Sequence, residues 1–235
     1  MPPRLLLKLS GEQFAGSRDH GIDTDFLAEL AKELQDVVSA TGAQLAIVVG
    51  GGNFMRGAAL AGNGIERATA DYMGMLATIM NGMALVDILE HHGQPARLQS
   101  RIQANAVAEP YIRRRAIRHL EKGRIVVVAG GTGNPYVTTD TAAVTTALEL
   151  DCQMVLKATK VDGVYTKDPR KFADAVKVEH MSFGQALVDE HVRIMDNSAI
   201  SLAMDNGLPL VVFDLHGKGN IRRVAEGKAV GTRIS

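Results

Sequence analysis

The sequence predicts an α/β fold, a three-layer αβα sandwich in which helices cover both faces of a central, mainly parallel β-sheet. Short runs rich in Leu, Ile and Val recur along the chain, as expected of strands buried on both faces of a parallel sheet. Helical patterns lie between these runs, and this alternation requires right-handed βαβ crossovers. No repeat or long polar linker interrupts the pattern, so residues 1–235 are expected to form a single domain.

Each element follows from its own pattern. The strand-like runs are Arg4–Leu9, Gln44–Val49 and residues 124–129, 153–158 and 210–215. Asp23 and Thr24 can cap a helix that places Leu27, Leu30 and Leu34 on one face and ends at Gly42. Further helices are predicted at residues 70–91, 109–122, 139–150, 183–191, 199–206 and 221–226.

Composition restricts the class of protein. The 26 basic and 26 acidic residues balance, so no overall field attracts nucleic acid or an anionic membrane. The single cysteine, Cys152, fits a reducing compartment and is expected in the core. The N-terminus lacks the regions of a signal peptide, and no apolar run approaches the roughly 20 residues that span a bilayer. We therefore expect a soluble cytoplasmic protein that binds neither nucleic acid nor membrane.

Glycine-rich turns follow several predicted strands. Ser10-Gly11 follows the first, residues 50–52 are all glycine, and residues 130–133 read Gly-Gly-Thr-Gly. In open α/β sheets ligands bind beyond the carboxyl ends of the strands. Glycine lets backbone N–H groups approach a ligand, and a following helix adds its positive end. The turns therefore predict phosphate binding, either of two phosphate groups or of one polyphosphate.

Familiar catalytic motifs are missing. The sequence has no GxxxxGK[ST], no complete GxGxxG, no HExxH and no GxSxG, which argues against Walker-type NTPases, dinucleotide folds, zinc proteases and serine hydrolases. It has no Cys/His ligand cluster, so no protein-held metal is predicted.

Two charged residues stand out beside the turns. Lys8 lies among leucines in the first strand, either on an edge strand with its ammonium in solvent or as a cation that meets a transferring phosphoryl group. Asp140 opens a predicted helix, where it could complement the helix dipole, orient a lysine or hold a Mg²⁺-bound water.

These motifs resemble the amino acid kinase family and, within it, the uridylate (UMP) kinase branch. The resemblance covers essentially the whole chain. It rests on KLSGE from Lys8, GGGNFMRG from Gly50, DYMGMLATIMNG from Asp71, GTGNPYVTTD from Gly131, LKATKVDGVYTKDP from Leu156 and the Met195-Asp196 pair. The first two motifs indicate only the family. The Asp71 helix and the GTGNPYVTT segment indicate the UMP branch.

The resemblance implies transfer of a phosphoryl group from ATP, with Mg²⁺, to UMP. It implies an N-terminal half that binds UMP and a C-terminal half that binds ATP. Lys8, Asp140 and Arg56 would be catalytic, and Lys160 is a weaker candidate near ATP. The residues implied for ATP are Lys8, Leu9, Ser10, Gly11, Gly52, Arg56, Thr159, Tyr165 and Asp168. Those implied for UMP are Gly51, Asp71, Thr132, Gly133, Asn134, Pro135, Tyr136, Val137, Thr138 and Thr139.

The resemblance also implies a homohexamer, with the methionine-rich helix after Asp71 at subunit contacts. Related enzymes often use GTP as an activator and UTP as an inhibitor, and residues 16–21 are where such regulation could act. Arg113, Arg114, Arg115 and Arg118 form a basic run that we interpret as a solvated helix face or a subunit contact.

Two alternatives stay open from the sequence. One is another small-substrate kinase of this fold, acting on carbamate, an acyl amino acid or isopentenyl phosphate. Asp71 and the GTGNPYVTT segment argue against it. The other is a non-catalytic nucleotide- or oxyanion-storage protein, since relatives store molybdate or tungstate. The presence of both Lys8 and Asp140 argues for a working enzyme.

Overall fold

The computed structural model describes residues 2–55, 64–167, 169, 171–172, 174–189 and 195–235. Its strands are β1 (Arg4–Leu9), β2 (Gln44–Val49), β3 (Ala96–Ser100), β4 (Glu109–Pro110), β5 (Ile125–Ala129), β6 (Met154–Thr159), β7 (Val164–Tyr165), β8 (Lys177–Val178), β9 (His180–Met181), β10 (Leu210–Asp214) and β11 (Thr232–Ile234). Its helices are α1 (Gly11–Phe14), α2 (Thr24–Thr41), α3 (Arg67–His91), α4 (Arg113–Glu121), α5 (Thr139–Glu149), α6 (Phe183–Val188), α7 (Asn197–Asp205) and α8 (Asn220–Ala225).

Among these residues nine strands form one sheet in the order β4-β3-β5-β2-β1-β6-β10-β11-β9. Neighbouring strands run parallel except β10 and β11, which are antiparallel. β7 and β8 form a separate antiparallel hairpin. The predicted central, mainly parallel sheet is confirmed. The order places β5, β2, β1 and β6 side by side, so the turns that follow these strands meet at one edge.

Two hydrophobic cores flank the sheet, one on each face. Successive residues of β1 alternate between them, because side chains along a strand point to opposite faces. Leu5, Leu7 and Leu9 pack with α2, α3 and α8, whereas Leu6 packs with α4, α5, α6 and α7. This arrangement is the predicted three-layer αβα sandwich. It also means that Lys8, next after Leu7, points towards the α5 layer.

The predicted start and end of α2 are confirmed. The Asp23 carboxylate accepts hydrogen bonds from the backbone N–H groups of Asp25 and Phe26, as an N-cap does. Gly42 ends the helix in the left-handed conformation, with φ at 67°.

Helix α3 is apolar enough, by length and composition, to cross a membrane, which the sequence analysis did not anticipate. Its packing is that of a core helix. Of its most apolar 18-residue segment, 44% is buried inside the protein. Ile79, Leu85 and Leu89 belong to the hydrophobic core on one face of the sheet.

Several elements differ from the predictions. β3 and β11 were not predicted, because Arg97, Gln99 and Arg233 interrupt their apolar patterns. Residues 109–110, predicted as helix, form a short edge strand, where Pro110 is tolerated because an edge residue need not donate. Helix α4 therefore begins only at Arg113.

Candidate active site

Two lysines and one aspartate meet where β1, β6 and α5 converge. Lys8 and Lys157 are direct partners across the parallel strands β1 and β6, so their side chains emerge on the same face of the sheet. Asp140 lies in the first turn of α5. Lys8 Nζ lies 2.8 Å from Asp140 Oδ1, and Lys157 Nζ lies 2.7 Å from Oδ2. One carboxylate therefore holds two ammonium groups side by side.

Burial makes this triad unusual. Lys8 is 6% exposed, although buried lysine is rare unless it is paired. Its strand β1 is central, which excludes the solvent-exposed alternative considered from the sequence. Burial alone would raise the pKa of Asp140, but the charges of Lys8 and Lys157 outweigh it and hold that pKa below its usual value. Burial lowers the pKa of Lys157, an effect that Asp140 opposes and Lys8 reinforces.

The turn after β2 packs directly on the turn after β1. A Cβ at Gly11 would overlap the backbone nitrogen of Gly52, and a Cβ at Gly50 would lie 2.7 Å from the nitrogen of Gly11. Such close backbone approach requires glycine on both sides. It places the N–H groups of both turns at one edge of the sheet. We expected a helix after each turn, and within the described residues a helix begins directly at the turn only after β1, where α1 starts at Gly11.

The long turn after β5 is held from two sides. At one end, the Tyr136 N–H donates to Asp71 Oδ2 at 2.8 Å, while Arg67 Nε contacts both oxygens of that carboxylate at 2.9 and 3.0 Å. At the other end, the hydroxyl of Thr138 donates to the Asp196 carboxylate. Tyr136 has a φ of 67°, a left-handed conformation that is uncommon outside glycine, and the residue is 70% exposed. The turn thus presents a strained segment over the cavity described next.

A cavity of about 140 Å³ opens between the turn after β2, helix α3 and the long turn. Its lining includes Gly51, Gly52, Asp71, Gly131, Val137, Thr138 and Thr139. Five of the residues implied for UMP thus share one cavity: Gly51, Asp71, Val137, Thr138 and Thr139. Larger cavities of about 420 and 470 Å³ lie elsewhere, and neither they nor this cavity are lined by Lys8, Lys157 or Asp140, although Thr139 in this cavity precedes Asp140. The charged triad and the glycine turns define the site, because the larger cavities lie away from both.

Of the residues implied for ATP, Gly52 lines the cavity of about 140 Å³, whereas Ser10, Thr159 and Tyr165 are not among its lining residues. Ser10 caps α1, and its N–H donates to the Gln13 side chain at 2.8 Å. Thr159 ends β6 and donates to the Val161 carbonyl oxygen at 2.7 Å. The Tyr165 hydroxyl donates to Asp162 at 2.8 Å, and this hydrogen bond raises the pKa of the phenol.

The structure brings most of the implied residues to one sheet edge, with some differences. Arg56 and Asp168 lie outside the described residues. Lys160 is exposed, whereas Lys157, three residues earlier, contacts Asp140. The sequence did carry a signal for Lys157, because it sits within an apolar strand just as Lys8 does. Cys152 is buried as predicted, and burial raises the pKa of its thiol to about 12.

The fold and this edge define a kinase class. Residues 3–214 match the model of the amino acid kinase family, and the chain belongs to that family.

Three solved structures are similar to this chain over nearly its whole length. The UMP kinase from Bacillus anthracis is 38% identical, with a TM-score of 0.93 over 99% of this chain and 95% of that one. The UMP kinase from Ureaplasma parvum is 31% identical, with a TM-score of 0.92 over 100% and 99% of the two chains. The uridylate kinase from Archaeoglobus fulgidus is 27% identical, with a TM-score of 0.75 over 98% and 99%.

Proposed function

We propose that this protein is a UMP kinase that transfers the γ-phosphoryl group of ATP to the phosphate of UMP, giving ADP and UDP. The observation that carries the proposal is the Lys8–Asp140–Lys157 triad, next to a cavity that is lined by Asp71 and by Thr139, the neighbour of Asp140 in the chain. The similarity to UMP kinases over whole chains supports the choice of UMP.

The chemistry requires positioning and charge stabilisation rather than a base. The attacking atom would be an oxygen of the UMP phosphate, which is already ionised at neutral pH. In the loose transition state the negative charge of the transferred group is spread over its three oxygens, and charge develops on the leaving oxygen of ADP as its bond breaks. Lys8 and Lys157 would stabilise that charge, and Asp140 would hold both ammonium groups in place. The N–H groups of Gly11, Gly51 and Gly52 would supply further preorganised donors.

Mg²⁺ would enter with ATP and neutralise charge on its phosphate oxygens. Among the described residues no group of three or more His, Cys, Asp or Glu side chains could hold a metal ion, so the phosphates would supply most of its ligands. Asp140 offers one suitable atom. Its buried Oδ1 lies 2.8 Å from Lys8 Nζ and has no other hydrogen-bond donor within the described part of the chain. This oxygen could accept from a water bound to the ion.

The resemblance divides the site residues between the two substrates. Asp71 and residues 132–139 would bind the ribose and base of UMP. Ser10, Thr159 and Tyr165, with Arg56 and Asp168, would bind ATP. The resemblance assigns the acceptor to the N-terminal half and the donor to the C-terminal half of a single domain, and Ser10 and residues 132–139 cross that division. A cytoplasmic location is part of the same proposal.

The test is product analysis with purified protein. Mg-ATP and UMP should give equal amounts of ADP and UDP, resolved by anion-exchange chromatography. The Lys8→Ala variant should lose this turnover while keeping its fold by circular dichroism. ADP formation without UDP would contradict the proposal, and so would undiminished UDP formation in the variant.

We further propose that the protein forms a homo-oligomer, a hexamer by resemblance, through the outer face of α3. This face exposes Tyr72, Leu76, Met80 and Met83, with exposed fractions between 41% and 53%. Their spacing places them on one side of the helix. A contiguous apolar stripe of this kind usually marks an interaction surface. Met75, another methionine of this helix, is buried in the protein's own core.

Light scattering after size-exclusion chromatography tests this assembly. The wild type should have a mass several times that of one chain, and Leu76→Glu should reduce it. A monomeric wild type would contradict the oligomer proposal without affecting the proposed reaction. Activation by GTP and inhibition by UTP remain predictions, which adding each nucleotide to the same UDP assay would test.

A further inference from the structure

Two buried polar side chains on α3, Thr78 and Asn81, have no part in the chemistry proposed above. Thr78 is 2% exposed and Asn81 is fully buried. A helix as apolar as α3 would normally face the core with Leu, Ile or Ala at such positions, because burying a polar group costs free energy unless it is hydrogen-bonded. Their partners lie in the two glycine turns that border the cavity.

Thr78 binds the base of the long turn. Its hydroxyl oxygen accepts from the Gly130 N–H at 2.7 Å and donates to the Met75 carbonyl oxygen at 2.6 Å. Gly130 has a φ of 80°, and a Cβ there would lie 3.0 Å from the nitrogen of Ile102. Thr78 therefore fixes the peptide at which the chain leaves β5 and enters the turn.

Asn81, one helical turn further on, binds the turn after β2. Its amide donates to the Gly50 carbonyl oxygen at 2.8 Å. It also exchanges two hydrogen bonds with the Asn53 amide, at 2.7 and 2.9 Å. Asn53, which is 4% exposed, donates in addition to the Gly21 carbonyl oxygen at 2.7 Å. The reciprocal amide pair thus joins this turn both to α3 and to the loop that precedes α2.

Steric contact reinforces these bonds. A Cβ at Gly51 would lie 2.7 Å from the Gly74 carbonyl oxygen and 2.8 Å from the Ala77 Cβ, so the turn rests directly on the backbone of α3. One helical segment, residues 74–81, therefore contacts both turns.

We infer that Thr78 and Asn81 are positioning residues that set the two phosphate-facing turns in register with each other from a single helix. The inference rests on the proposed function for its kinetic consequences. Thr78 hydrogen-bonds to the long turn and lines the cavity beside it, and so acts on UMP. Asn81 acts on the turn after β2, which packs against Gly11 and so affects ATP as well.

A near-isosteric substitution tests the role of Thr78. Thr78→Val keeps the side-chain shape but leaves the Gly130 N–H without its acceptor, and we expect the KM for UMP to rise about tenfold while the KM for ATP stays unchanged. Thr78→Ser restores the hydroxyl and should restore the KM. Thr145→Val is the matched control, because the side chain of Thr145 donates within α5, to the Thr141 carbonyl oxygen, and has no other hydrogen bond among the described residues. Loss of stability alone would lower the active fraction and leave both KM values in place.

Asn81→Ala should raise the KM for both UMP and ATP, and Asn206→Ala, at the exposed end of α7, is its control. Unchanged KM values in both folded variants, Thr78→Val and Asn81→Ala, would overturn the inference.

Hydrogen exchange of the protein without nucleotide separates this inference from the proposed function. The Gly130 amide should exchange slowly in the wild type and in Thr78→Ser, and fast in Thr78→Val. If the wild type does not phosphorylate UMP, the proposed function fails, and this exchange pattern still decides the inference. Equal exchange in all three proteins would overturn it.

Discussion

Lys8 and Lys157 lie opposite each other on adjacent parallel strands, and the single carboxylate of Asp140 contacts both ammonium groups. Two buried cations this close would repel each other without an anion between them. The pair is therefore stable only because α5 places its first turn, and with it Asp140, above these two strands. This arrangement concentrates positive charge at one point of the sheet edge.

Replacing Asp140 by Asn should damage both activity and stability. The amide keeps the shape of the carboxylate but leaves two buried ammonium groups without a counterion, and removing one partner of a buried ion pair costs about 3–5 kcal/mol. We expect kcat to fall by about 100- to 1,000-fold, as for other preorganised charge-stabilising groups. Steady-state kinetics and urea unfolding measure the two effects. Wild-type kcat in Asp140→Asn would exclude the proposed role of the triad.

The same variant predicts a change in acid stability. Because the pKa of Asp140 is lowered in the folded protein, its contribution to stability is full above its usual value of 3.8 and is lost as the pH falls through the lower folded pKa. The wild type should therefore lose stability at acidic pH more steeply than Asp140→Asn. Unfolding free energies measured from pH 6 downwards test this, and parallel curves for the two proteins would contradict it.

Activity should decline at alkaline pH as Lys157 loses its proton. Its pKa in the folded protein is below the usual value of 10.5, so kcat should fall before that pH is reached. In this window the unfolded chain binds the proton more strongly, so this group makes folding more favourable as the pH rises even while activity is lost. Lys157→Arg should move the decline to higher pH, because guanidinium stays protonated. Lys122→Arg, at an exposed position, is the control. A pH profile of Lys157→Arg that is identical to that of the wild type would contradict the proposed role of Lys157.

Asp71 should determine the affinity for UMP and leave ATP unaffected. Its carboxylate lines the cavity and accepts a hydrogen bond from the Tyr136 N–H. Asp71→Asn therefore removes the negative charge from the cavity and weakens the hydrogen bond that holds the long turn. We expect the KM for UMP to rise by at least about tenfold, since hydrogen bonds to charged groups contribute roughly 1.5–3 kcal/mol. Asp87→Asn, on an exposed position of the same helix, is the control. If the KM for ATP rose as much as the KM for UMP, Asp71 would not act on the acceptor side alone.

Gly51 should not tolerate a side chain. An added methyl group would meet the α3 backbone, and overpacking of this kind costs about 1–3 kcal/mol. Gly51→Ala should therefore lower the melting temperature and displace the turn that faces the phosphates. Gly184→Ala, in α6, is the matched control, because a Cβ there meets only Ser182 Oγ at 4.0 Å. Equal melting temperatures and KM values for both variants would contradict the predicted close packing.

The central strands could be predicted because their residues are apolar on both faces. β1 and β2 were predicted to the residue for this reason. β3 and β11 could not be predicted in the same way, since these short strands nearer the sheet margins carry Arg97 and Arg233 at positions that are not buried, and β3 also buries the polar Gln99. Helix α4 was predicted to begin too early because the sequence does not show that Pro110 pairs with Ser100 at the sheet edge.

The sequence predicts which turns form the candidate site, but not how the residues of the site are arranged in space. Glycine patterns identify the turns after β1, β2 and β5, and Lys8 and Asp140 stand beside them. That Lys157 shares Asp140 with Lys8 depends on the strand order, in which β6 lies next to β1 although about 145 residues separate the two strands in the chain. The contacts of Thr78 and Asn81 with the turns depend likewise on where α3 crosses the sheet.

Phosphoryl transfer to UMP is tested most directly by a substrate panel. ADP release from Mg-ATP would be measured with UMP, CMP, dUMP, AMP, carbamate, an acyl amino acid and isopentenyl phosphate, for the wild type and Lys8→Ala. We predict turnover that strongly favours UMP and that collapses in Lys8→Ala. Folded wild-type protein that turns over another acceptor in preference to UMP, or no acceptor at all, would contradict the assignment.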